Sequence, residues 1–121
     1  MTIVSFDTQL PENAVPCERP VIQKTVDLCL QDNGAVSIWD GEELSVQRST
    51  NRMEILKNLA QTDMEQLEVY DKDGKFRGWF LLIYNNGSEH EPMVVISDYS
   101  ANDWTENVYR KLDETFGGYE L

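Results

Sequence analysis

Histidine occurs once and cysteine twice in these 121 residues, and no glycine-rich loop precedes a helix. The side chains from which most metal centres, nucleophilic sites and phosphate cradles are built are therefore scarce. Cys17 and Cys29 form no Cys-x-x-Cys pair and have no second pair to complete a zinc site, so they read as free thiols of a reducing compartment. Long apolar runs are missing as well. The longest, Trp79 to Tyr84, falls far short of the roughly 20 residues that cross a membrane as a helix. Met1 to Leu10 has no basic start and no apolar run, so no secretory leader is expected and the chain is placed in the cytoplasm. Positive charge is the last scarcity: 10 Lys and Arg stand against 22 Asp and Glu, a net charge of −12. Nucleic acids and anionic lipids are bound chiefly through Lys and Arg, which excludes them as direct partners.

What remains is 40% apolar residues, of which the aromatics are a large part, enough to build a core despite the charge. The length suits a single domain, 1–121. Pro11, Pro16 and Pro20 make 1–19 a short strand, Thr2 to Phe6, followed by an extended arm. Pro20 then opens a first helix of about 20–31 with Ile22, Val26, Cys29 and Leu30 on one face. Beyond Gly34 the period becomes two. Val36 and Ile38 form one arm of a hairpin and Leu44 and Val46 the other, and an odd-length loop would pair Ile38 with Leu44 and Val36 with Val46. Asn51 with Glu54 resembles a capping box and predicts a second helix of about 51–61. Leu67 and Val69 start a strand that turns at Asp71-Lys72-Asp73-Gly74 into Phe76 to Tyr84, and Met93 to Tyr99 returns as another strand. Asn102 caps a third helix with Trp104, Val108, Leu112 and Phe116 at four-residue spacing, stopped by Gly117-Gly118. The order predicts an α+β fold, an antiparallel β-sheet of about five to six strands in hairpins and a meander, packed with three helices.

The strand Phe76 to Tyr84 is apolar on both sides, with Phe76, Phe80, Leu82 and Tyr84 on one and Trp79, Leu81 and Ile83 on the other. Antiparallel strands with a wet face alternate apolar with polar. Either helices or the N-terminal arm cover both faces, or one face meets a second protein molecule.

Ile38-Trp39-Asp40-Gly41-Glu42-Glu43, Arg48-Ser49-Thr50, Leu59-Ala60-Gln61-Thr62-Asp63, Gly78-Trp79 and Ser97-Asp98-Tyr99-Ser100-Ala101-Asn102 resemble a group of small uncharacterised phage and prophage proteins. The resemblance covers a little over half the chain and leaves out the N-terminal arm and the last helix. It rests on turns and caps and carries over no functional residue. It implies a phage or mobile-element origin, hence a host-cell cytoplasm and a role directed at host components.

Chemistry is not legible in the remaining motifs. His90 lies between Glu89 and Glu91 in a polar loop with no Ser or Cys motif beside it and reads as an exposed loop histidine. Cys29, on an apolar helix face, reads as a small buried hydrophobe. If Asp73-Gly74 took the Asp-Gly positions of a calcium loop, the first and last ligands would be Val69 and Phe80, so a hairpin turn is the better account. No catalytic residue, cofactor or metal is expected. The charge is the signal left: residues 1–60 carry 9 acids against 5 bases and 61–121 carry 13 against 5. A basic partner protein, host or cognate, would meet such a surface, which would inhibit or modulate it as a nucleic-acid mimic or immunity protein does. Trp39 with Asp40, Glu42 and Glu43, and Trp104 with Asp103, Glu106, Asp113 and Glu114, are the candidate partner-binding residues, an aromatic anchor among carboxylates in each case. A homodimer joined through the strand from Phe76 to Tyr84, or a small-ligand pocket between sheet and helices, is the alternative.

Overall fold

The first described side chains already contact the core. Arg19 reaches back to donate to the carbonyls of Pro11 (2.9 Å) and Leu10 (3.2 Å), Leu10 and Ala14 are buried, and Pro16–Glu18 winds into a 3₁₀ turn. The computed structural model describes residues 10–11, 14–85 and 91–117. Over those residues the expected arm is folded rather than extended, because one guanidinium gathers several carbonyls of the turn before it. The strand expected at Thr2 to Phe6, His90 and Gly118 lie outside the described residues.

Helix α1 (Arg19–Leu30) carries Pro20 in its first turn, where the missing N–H costs nothing, and buries Val21, Ile22, Val26, Leu28 and Cys29. It gives way to a turn at Gln31–Asn33 in which Asp32 and Asn33 both adopt the left-handed conformation (φ 58° and 64°), one that Asp and Asn tolerate better than most residues. Strands β1 (Ala35–Trp39) and β2 (Leu44–Ser49) follow. Their register corrects the odd-loop expectation: Trp39 faces Leu44, Ile38 faces Val46 and Val36 faces Ser49. Asp40 sets the turn by accepting from the N–H groups of Glu42 and Glu43 (both 2.9 Å), and two irregularities in β2, with Arg48 at φ 47°, move the pairing on. Buried Val46 thereby lies opposite Ile38, and Leu44 is left exposed.

Helix α2 (Arg52–Lys57) is capped by Asn51, which accepts from the Glu54 N–H, while Glu54 itself accepts from Ser49 instead of closing a reciprocal box. It stops at Lys57, well before residue 61, with Asn58 as its C-cap, and strand β3 (Met64–Tyr70) follows. A tight turn at Asp71 leads into β4 (Phe76–Ile83). The strand expected from Met93 starts only at Ile96, as β5 (Ile96–Tyr99). Pro92–Val95 winds into a 3₁₀ turn instead, since proline has no N–H for a ladder and a φ suited to a turn. Helix α3 (Asp103–Phe116) starts on Asn102, which accepts from the Thr105 N–H.

The sheet order is β2-β1-β3-β4-β5, antiparallel throughout, so the connection through α2 steps over β1. Val36 and Ile38, Leu67 and Val69, and Phe80 and Leu82 point to one face and share a core with the buried sides of the three helices. Helix α3 sits close against β4 because position 78 is glycine: a Cβ there would lie 2.5 Å from Thr105 Cγ2. The chain is thus an α+β protein of two layers, with its helices on one side of an open antiparallel sheet. No helix among the described residues is long and apolar enough to cross a membrane.

Candidate functional site

Strand alternation assigns the other face of the sheet. With Ile38, Leu67 and Phe80 turned to the helices, their neighbours Trp39, Gln66 and Glu68, and Trp79 and Leu81 turn away. Gln66 lies between Trp39 on β1 and Leu81 on β4, and Glu68 between Ser37 and Trp79. Met64 (48% exposed), Leu44 opposite Trp39 (43%), Phe76 opposite Tyr70 and Trp39 itself (37%) are the exposed large apolar side chains here, and Trp79, Leu81 and Ile83 are half-buried. Trp39, Gly41, Met64, Glu65, Gln66 and Leu81 line a shallow cavity of about 270 Å³. The acidic turn from Asp40 to Glu43 stands at its rim. Backbone donors at Glu43 and Glu42 hold the Asp40 carboxyl below its usual range, so it is fully charged at neutral pH.

Toward the opposite end of this face, Arg48 closes over β1 and β3. Its guanidinium lies 4.0 Å from the centre of the Tyr70 ring, and the Arg48 backbone N–H donates to Ser37 Oγ (2.8 Å). That is why Ser37, though on the open side, is buried. Beside this covered patch Glu68 accepts from Gln66 Nε2 (3.3 Å) and Tyr70 Oη (3.4 Å), and no described Lys or Arg pairs with it.

The sequence candidates separate into two groups. Trp39, Asp40, Glu42 and Glu43 belong to the open face and its rim. Asp103, Glu106, Asp113 and Glu114 form one exposed stripe along α3, interrupted by Arg110, whose guanidinium lies 4.0 Å from Glu114. Trp104 is not among them: it is half-buried, packed edge-on to Phe80 (centroids 5.7 Å), with Arg77 over its ring at 5.1 Å. The stripe lies on the outside of the helix layer, so the two acidic groups occupy opposite sides of the sheet. Sequence reasoning placed Trp79, Leu81 and Ile83 on one side of their strand but missed Met64, Gln66 and Glu68. The signal was present in β3, where inward Leu67 and Val69 force residues 66 and 68 outward.

Two buried carboxylates have structural work. Glu65 accepts from the N–H groups of Ala60 (2.8 Å) and Gln61 (3.2 Å) and from Tyr84 Oη (2.5 Å). Burial pushes its carboxyl above the ordinary value in spite of these donors, and burial together with Glu65 pushes the Tyr84 hydroxyl up. Glu65 fixes the turn after α2: it accepts from Ala60, whose left-handed conformation (φ 60°) bars the helix from running on to residue 61 and leads the chain into β3. Glu18 accepts from the Asn85 N–H with both oxygens (3.0 and 3.1 Å) and ties the end of β4 to the turn before α1. Burial raises the Cys29 thiol to about 12. A second cavity, of about 320 Å³, is lined by Asp32, Asn33, Asp71, Lys72, Asp73 and Arg77, carboxylates and cations mixed. Among the described residues no group of three or more His, Cys, Asp or Glu is placed to hold a metal ion.

No protein-family model, curated protein or solved structure matches the chain.

Proposed function

We propose that this is a non-enzymatic binding protein that docks a basic partner protein on the open face of its sheet and thereby inhibits or modulates it. One observation carries the reading: a sheet face that no described helix covers presents Trp39, Met64 and Leu81 around a shallow cavity whose rim is the acidic turn from Asp40 to Glu43. Tryptophan surrounded by apolar side chains and rimmed by charge is the composition of an interface centre. The α3 stripe lacks such an anchor, because Trp104 turns from it to pack edge-on against Phe80 with Arg77 over its ring. Its carboxylates add to the long-range field that draws a basic partner in. A net charge of −12 on each copy opposes self-association through the same face. The resemblance to phage-encoded proteins adds to the proposal that the partner belongs to the host.

Capture from a host lysate at low and at high salt tests the reading, with the wild type set against Leu81→Arg. We expect a basic protein retained at low salt, released at high salt and lost with the variant. Retention indifferent to salt, or equal retention by Leu81→Arg, would overturn it.

A further inference from the structure

Resting on the docking reading, we propose that Glu68 is the recognition carboxylate of the open face and receives one Lys or Arg side chain from an extended basic segment of the partner. Glu68 stands at the middle strand of the face, with Ser37 and Trp79 as its cross-strand neighbours and Gln66 and Tyr70 beside it along β3. Its contacts are two long hydrogen bonds, at 3.3 and 3.4 Å, from neutral donors. A carboxylate offers about four lone-pair sites, so acceptor capacity is left over. Arg48 of β2, which reaches this face, is already engaged, lying against the Tyr70 ring and reaching toward the turn at Gly74.

Any surface that covers this face takes Glu68 out of water. A neutral surface would leave a buried charge uncompensated, which is strongly unfavourable, whereas a guanidinium or ammonium satisfies it. Trp79, directly across from Glu68, offers its ring to the same cation, much as Tyr70 holds Arg48. Three occupants can be weighed on charge. Residues 1–9 contain one Asp and no Lys or Arg, so they cannot neutralise Glu68 with a side chain. A second copy brings another −12 to a face already rimmed by acids. A basic segment matches both the rim and the centre.

The test is a titration of the isotope-labelled full-length chain, followed by amide chemical shifts, with a synthetic blocked peptide of alternating apolar residues and one central arginine. The same peptide with citrulline in place of arginine is the neutral control. We expect shifts centred on Ser37, Glu68 and Trp79, at least tenfold weaker binding of the citrulline peptide, and loss of that preference in Glu68→Gln. The glutamine keeps the size of the side chain and its exposure, so an unchanged thermal melt certifies the fold of the variant. The inference is overturned if neither peptide binds, if shifts gather on α3, or if Glu68→Gln still prefers arginine. A partner whose capture depends on Leu81 but is unchanged by Glu68→Gln would likewise remove this inference and leave the docking reading standing. Shifts in a chain lacking residues 1–9 that match those produced by the peptide would instead assign the face to that segment.

Discussion

Glu65 shows how much one side chain can decide in this protein. Three donors converge on it, two from the backbone after α2 and one from Tyr84, so truncation leaves buried N–H groups unsatisfied. Glu65→Ala should lower stability by about 3 kcal/mol in urea unfolding. Its titration gives the pH dependence a definite sign. Because the folded state raises the carboxyl above 4.5, this group favours folding fully below that value, and the contribution is lost as pH rises through the folded value. Asp40 and Asp71 act in the opposite sense: backbone donors lower both from 3.8, so their contribution is present above that value and is lost as pH falls through the folded values. Stability is therefore expected to peak at mildly acidic pH, and Glu65→Gln should flatten the limb above it. None of this was legible in the sequence, where Glu65 is one acid among 22. Its role depends on a strand returning past a helix end, a contact that no local pattern records. Cys29 was legible, as an apolar-face thiol; with its thiol raised to about 12 it should react with a thiol reagent only as fast as the protein unfolds.

At the level of elements, α1 and α3 could be placed because proline, asparagine caps and apolar spacing agree with one another. Helix α2 could be placed by its Asn51 cap but not its end, and the 3₁₀ turn at Pro92 and the β1–β2 register were missed: the turn after α2 is held by Glu65 from a later strand, Pro92 lacks a ladder donor in a strand-like stretch, and β2 carries two irregularities. The open face was half legible. Trp79, Leu81 and Ile83 announce it, but only the order β1-β3-β4 brings Trp39, Gln66 and Glu68 beside them. The packing of α3 on β4 depends on Gly78. A Cβ there meets Thr105 Cγ2 at 2.5 Å and Ser100 Oγ at 2.9 Å, so Gly78→Val should destabilise by about 2 kcal/mol or more, read as a lower urea midpoint with an unchanged slope. Asn102 makes a second hold on the same junction, capping α3 and donating to the Arg77 carbonyl (2.7 Å). Asn102→Ala should cost about 1 kcal/mol by the same measurement.

Across the whole molecule, charge and shape separate what the sequence had joined. The acid excess of residues 61–121 is spread over both sides of the sheet, whereas exposed Trp39, Leu44 and Met64 gather on the open face and the helix layer exposes Met53. The central pairing is also the least local one. Strands β1 and β2 form one hairpin and β3 and β4 another, whereas β1 meets β3 only after the chain has passed through β2 and α2. That junction runs under the open face, because Trp39 and Ser37 lie on one side of it and Gln66 and Glu68 on the other. A partner seated there would act as a clasp between two independently closing halves. Its grip should register as slower hydrogen exchange at the β1–β3 amides, with the hairpin amides of β1–β2 and β3–β4 slowed less, so that occupancy of the face is read from inside the sheet.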